Sequence, residues 1–119
     1  RTFDIVIFGF CLYLCDRKDL YKIAYEADNK LNTNGLLVIY DFYTETPYKN
    51  RYRKEANLFS YKQDYSSLFE VSPMYQLLEK KVFSVDGAYR SVSHQDTLQM
   101  VSKLKKLPID DAYLENPYG

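Results

Sequence analysis

The first apolar run, Phe3-Asp4-Ile5-Val6-Ile7-Phe8-Gly9, is continuous from Ile5 to Phe8 and rich in β-branched side chains. A run without polar alternation predicts a strand buried on both faces, as in a parallel sheet. Asp16 then stands as a helix N-cap with Asp19 three residues on, in a capping-box-like arrangement. Leu20, Ile23, Ala24, Ala27 and Leu31 recur at helical spacing, while Lys18, Lys22, Glu26 and Lys30 fall mostly on the other face. The segment predicts an amphipathic helix. Asn34-Gly35 closes it, where glycine can take a positive φ. Leu36-Leu37-Val38-Ile39-Tyr40 repeats the continuous apolar pattern. Strand, helix, glycine turn and strand predict a βαβ unit with parallel strands.

Periodicity then fades. From Asp41 to about Ser60 the chain holds Pro47 and a crowd of tyrosines and cations: Tyr43, Tyr48, Lys49, Arg51, Tyr52, Arg53 and Lys54. A long loop directly after a parallel strand is where function concentrates. Tyr61–Val71 predicts a short helix with Tyr65, Leu68 and Phe69 inward. Tyr75–Val85 predicts a strand ending at an Asp86-Gly87 turn. Thr97–Leu107 fits either a helix stripe or a strand. The remainder, 108–119, reads as a mobile tail beyond a single domain portion spanning 1–107.

Composition narrows the function. The chain has 119 residues, enough for one small core. Sixteen cations balance sixteen acids, which gives no basic surplus for a nucleic-acid partner. The longest apolar run, Ile5–Cys15, is too short to cross a bilayer, so no membrane partner is expected. Cys11 and Cys15 lie four apart, and with His94 they do not complete a zinc site, so no metal is expected. They read as reduced, packed thiols of a cytoplasmic protein. Thirteen tyrosines and no tryptophan suit pocket walls and interfaces.

Phe3-Asp4-Ile5-Val6-Ile7-Phe8-Gly9-Phe10-Cys11-Leu12-Tyr13-Leu14, the helix, and Leu31-Asn32-Thr33-Asn34-Gly35-Leu36-Leu37-Val38-Ile39-Tyr40-Asp41-Phe42 together resemble the C-terminal half of a class I S-adenosylmethionine-dependent methyltransferase. The resemblance reaches from about Phe3 to Leu107. It implies an α/β fold, a partial Rossmann-like methyltransferase sheet. The chain would supply strands 4-5-7-6 of the family order, the last-formed strand antiparallel, with two main helices. It resolves Thr97–Lys106 as a strand. The family's Gly-rich turn is missing, because the glycines (Gly9, Gly35, Gly87 and Gly119) are not clustered. The chain is therefore expected to lack the first half of the fold, in keeping with a start at Arg1, and to bind S-adenosylmethionine weakly or not at all. The Phe3–Phe8 strand would then be a bare apolar edge, expected to be covered by self-association or by the missing half.

By the same resemblance Gly9, Phe10 and Cys11 line the cofactor side of the cleft; the plain alternative is a tight turn with two buried side chains. Asp41 is a candidate catalytic group, as a general base or an orienting acceptor, and its plain alternative is a loop or helix cap. Phe42, Tyr43, Tyr48, Tyr52, Tyr61 and Tyr65 are candidate walls for a small-molecule substrate, with Arg51 and Lys62 nearby. The plain alternative is that the tyrosines pack the loop onto the sheet. The expected activity is methyl transfer in the intact protein and none in this stretch alone. The alternative is a non-enzymatic interaction or dimerisation module derived from the same fold.

Overall fold

The structure, a computed structural model, describes residues 1–51, 58–84 and 98–119. Strand β1 (Phe3–Gly9) runs parallel to β2 (Leu31–Phe42), with Ile5 opposite Leu36 and Phe8 opposite Ile39. Two short 3-10 turns, Leu12–Leu14 and Arg17–Asp19, and helix α1 (Leu20–Lys30) connect them. Strands β3 (Tyr48–Arg51) and β4 (Phe59–Lys62) form a separate antiparallel ribbon. Helix α2 (Ser67–Glu70), β5 (Tyr75–Ser84), β6 (Leu98–Lys106) and the short helix α3 (Ile109–Ala112) follow. The main sheet has the order β1-β2-β6-β5, and β6 is antiparallel to both of its neighbours. The last strand of the chain thus sits between two earlier ones, the α/β arrangement expected above.

One face of the sheet carries the core. Leu37 and Ile39 of β2 and Leu104 of β6 pack with Leu20, Ala27 and Leu31, and with Tyr65, Phe69 and Tyr75. The last turn of α1 is tied down by polar contacts. Lys106 Nζ donates to the Asp28 and Leu31 carbonyls, at 2.8 and 3.0 Å, and meets the Asp28 carboxylate at 3.2 Å. A cation at a helix C-terminus answers its unpaired carbonyls. The Tyr75 hydroxyl donates to the same carboxylate, and burial, then Asp28, pushes its ionisation far above the usual phenol range. The other face of the sheet presents Ile5, Ile7, Leu36, Val38, Tyr40 and Val101, in register across three strands. On β1 itself Phe3, Ile5 and Ile7 are 43, 55 and 65% exposed. Among the described residues no helix is long and apolar enough to cross a membrane.

The details differ from expectation in several places. Asp16 caps the 3-10 turn, accepting from the Lys18 N–H at 3.1 Å, and α1 proper starts at Leu20; Asp19 makes no side-chain cap. The Asn34-Gly35 turn is absorbed into β2, which begins directly after α1. The register slips between Phe3↔Leu31 and Ile5↔Leu36 to take up the extra residues. Asn34, not Gly35, carries the positive φ of 69°. The tyrosine-rich stretch contains the β3–β4 ribbon, and the 108–119 stretch carries α3. Asp86-Gly87 and His94 lie outside the described residues.

Gly35 is required for space. A Cβ there would stand 2.6 Å from the Asn32 carbonyl oxygen and 3.0 Å from that of Asp4. Backbone cannot yield as a side-chain tip does, so Gly35→Ala should destabilise the chain by about 1–3 kcal/mol, the usual cost of overpacking. Urea unfolding would measure it; an unchanged midpoint would show that the β1–β2 junction is looser than described.

Candidate functional site

Because β1 and β2 are parallel, the loops that follow Gly9 and Phe42 open at the same end of the sheet. Open α/β sheets take ligands at that end. Phe10 leaves β1 with φ 52°, a left-handed conformation that non-glycine residues avoid. Its N–H donates to the Tyr40 carbonyl at 2.8 Å, and its ring lies 4.5 Å from Tyr40 and 5.3 Å from Phe42. Phe42 also meets Tyr13 edge-on at 5.0 Å, and Lys62 Nζ sits 4.4 Å above its ring. An aromatic cluster therefore bridges the ends of β1 and β2.

Asp41 sits beneath that cluster and is 3% exposed. Its carboxylate accepts from the Leu12 N–H at 3.1 Å and from the Phe42 N–H at 2.7 Å. Burial pushes its carboxyl up to about 6, against the backbone N–H groups of Phe42, Leu12 and Tyr13 and the charge of Arg17, which pull it down. The carboxylate caps the loop between β1 and α1, and direct contact with an acceptor is not what this geometry offers. The alternation of β2 explains the placement: Leu37, Ile39 and Asp41 all face inward.

Arg17 completes the clamp. Nε donates to the Cys15 carbonyl, Nη2 to the Leu12 and Cys15 carbonyls at 2.7 Å each, and Nη1 to Gln63 Oε1 at 3.2 Å and the Tyr65 hydroxyl at 2.9 Å. The guanidinium lies 4.3 Å over the Tyr61 ring. Nothing in the sequence singled out Arg17, a cation in a polar turn between Asp16 and Lys18.

The proposed aromatic walls separate. Tyr48 and Tyr61 come together with Arg17, Pro47, Lys49, Lys62 and Gln63 around a cavity of about 290 Å³. Phe42 belongs to the aromatic cluster. Tyr43 donates its N–H to the Leu98 carbonyl at 2.9 Å, and burial raises its phenol, helped by Glu45 and Asp64. Tyr65 is 1% exposed, and its hydroxyl donates to the Tyr61 carbonyl. Burial pushes that phenol up to about 12. Tyr65 is thus a core residue beneath the site, not a wall of it. Tyr52 lies outside the described residues.

On the other side, Gly9 has open space where a Cβ would stand, and its backbone needs no glycine. Phe10 is half-buried. Cys11 is exposed, contrary to the packed thiol expected. Its thiol is nonetheless raised, first by burial, then by Cys15 and Asp41. Both cysteines are free, and Cys15 Sγ donates to the Cys11 carbonyl at 3.3 Å.

The fold is that of class I S-adenosylmethionine-dependent methyltransferases. A SAM-dependent methyltransferase from Methanosarcina mazei superposes with a TM-score of 0.64 at 14% identity, over 89% of this chain and 60% of that one. The N-methyltransferase NodS from Bradyrhizobium japonicum WM9 superposes with a TM-score of 0.55 at 13% identity, over 90% of this chain and 52% of that one. The chain therefore spans a little over half the length of these structures. No protein-family profile and no curated protein sequence matches it.

Asp41 gives the site a pH signature. Its folded value of about 6 lies above the ordinary carboxylate value of about 3.9. The folded state therefore holds that proton more tightly, and Asp41's contribution to stability is full below about 4 and falls as pH rises through 6. Asp41→Asn lacks this loss. The melting temperature of the variant minus that of the parent should rise between about pH 4 and 7. A flat or falling difference would mean that the carboxyl is not strained by burial.

Proposed function

We propose that this chain forms the substrate-side portion of an S-adenosylmethionine-dependent methyltransferase acting on a small-molecule acceptor, and that it is inactive without the remainder of the sheet. The observation that carries this reading is the free edge of β1, where Phe3, Ile5 and Ile7 stand exposed in a fold whose matched relatives extend well beyond the superposed region. Parallel sheets are covered on both faces and at their apolar edges. Beside that edge, Phe3, Val6, Phe8, Ile23 and Ala27 floor a groove of about 700 Å³, rimmed by Asp19, Lys22, Glu26 and Lys30. The groove and the apolar sheet face have the character of surfaces made to be covered.

The residues present fit one wall of a cofactor site. Gly9 leaves room at the end of β1, and the Phe10, Tyr40 and Phe42 rings offer the apolar and cation-attracting surface that suits a sulfonium. The chain has no glycine cluster to cradle the rest of the cofactor. When bound, S-adenosylmethionine supplies an electrophilic methyl group. The chain's own residues align the acceptor and keep water from it. Asp41 and Arg17 act as positioning residues that fix the loop carrying Phe10, Cys11 and Tyr13. Phe42, Tyr48 and Tyr61 form the acceptor side. Rigid placement of two reactants accounts for much of the barrier lowering in such transfers.

Calorimetric titration with S-adenosylmethionine checks the reading. The chain alone should show no saturable micromolar binding. Micromolar binding by these 119 residues would overturn the claim that the cofactor's main contacts lie elsewhere.

A further inference from the structure

The loop after β1 carries both cysteines of the chain, one at each end of its first 3-10 turn. Cys11 stands just before Leu12–Leu14 and Cys15 just after. The Leu14 N–H donates to the Cys11 carbonyl at 3.4 Å, and Cys15 Sγ donates to the same oxygen at 3.3 Å. The turn thus folds the Cys15 thiol back onto the Cys11 backbone. The thiols also act on one another, since Cys15 is the next cause after burial that raises the Cys11 thiol. Cys11 is exposed, and Cys15 is half-buried at the margin of the core.

The two ends of the turn are anchored unequally. Arg17 Nε and Nη2 both donate to the Cys15 carbonyl, at 3.2 and 2.7 Å, and Nη2 also holds the Leu12 carbonyl. Leu12 is 1% exposed, and its N–H is taken by the Asp41 carboxylate. On the other side, Cys11 follows Phe10, with its left-handed φ of 52°, and Gly9, beside which there is open space. A disulfide needs β-carbons about 3.5–4.5 Å apart. Residues four apart on a helical turn hold theirs about 5–6 Å apart. Closing that gap moves the less anchored end, Gly9–Cys11.

We propose that Cys11 and Cys15 close to a reversible disulfide, and that closure shifts Gly9–Cys11 and resets the wall Phe10 presents beside Tyr40 and Phe42. The inference rests on the methyltransferase reading only for calling that wall the cofactor's; the bond itself stands on the loop. The oxidant is a small-molecule disulfide. The Cys11 thiolate attacks one of its sulfurs, its S–S bond breaks, and one thiol leaves. The Cys15 thiolate then attacks the Cys11 sulfur of the mixed disulfide, and the second thiol leaves. The two cysteines give up two electrons and two protons, which the oxidant takes up as two thiols. A bond that must draw the loop in is strained, and strained or exposed disulfides are the readily reduced, regulatory ones.

Oxidised glutathione tests this on the full chain, at millimolar total glutathione, with an acid quench, iodoacetamide and mass measurement. The folded parent should lose two hydrogens, carry no glutathione and take up no alkyl group, and dithiothreitol should restore both thiols. The closed form should exceed the mixed disulfide roughly tenfold or more, because its second step is intramolecular. Cys15→Ser should instead retain glutathione on Cys11. On oxidation, amide NMR shifts should reach Gly9, Phe10 and Tyr40, since the Phe10 N–H donates to the Tyr40 carbonyl. A folded parent that stays as the mixed disulfide, or closes only in urea, would overturn the proposal. So would closure that leaves the Phe10 and Tyr40 amides where they were. No S-adenosylmethionine is present, so a failure here leaves the methyltransferase reading standing. Closure in a chain that never supports methyl transfer would instead fail that reading alone.

Discussion

The end of the sheet where the loops after β1 and β2 open depends on one half-buried guanidinium. Arg17 joins two pieces of chain that are distant in sequence: the Leu12–Cys15 loop, through two carbonyls, and the segment after β4, through Gln63 and Tyr65. With Asp41 holding the Leu12 N–H from below, the loop after β1 is fixed from both sides. A planar fork with five donors does this where a lysine could not. Among the described residues its hydrogen-bond partners are all neutral oxygens, and its charge reaches the Asp41 carboxyl, which it pulls down against burial. Packing and electrostatics thus meet in a single side chain.

The periodic parts of the fold were legible in the sequence because burial leaves a period. The β2 run, the stripe Leu20, Ile23, Ala24 and Ala27, and the inward Tyr65 and Phe69 stand where their pattern put them, while β1 forms as a strand but exposes Phe3, Ile5 and Ile7 instead of being buried on both faces, and Leu31 opens β2 instead of closing the helix. The β3–β4 ribbon left no such trace. Its Lys49 and Arg51, both exposed, lie against the Phe59 ring through cation–π contacts, so polar residues occupy positions that hydrophobic counting discards. Arg17 was hidden for a related reason: its partners are 46 and 48 residues away, and no local spacing encodes them. Asp41 was visible as a polar residue ending a buried strand. Its role as a cap follows from the loop that folds back over it.

The β1 edge and the adjoining apolar face have one geometric requirement in common. A second copy pairing edge to edge would extend the sheet and leave Leu36, Val38 and Tyr40 uncovered. A second copy stacked face to face would cover those residues and leave the β1 backbone unpaired. A strand that brings its own helix satisfies both, which is how α/β sheets are normally closed. The matched methyltransferases have 40–48% of their length outside the superposed region, as 60% and 52% lie within it. That is ample for such a unit.

Sedimentation velocity across a wide concentration range tests this account most directly. With the β1 edge and face uncovered, the isolated chain should associate, its weight-average mass rising above the monomer value as concentration increases. A monodisperse monomer at every concentration would contradict the claim that this surface is made to be covered by another strand and helix.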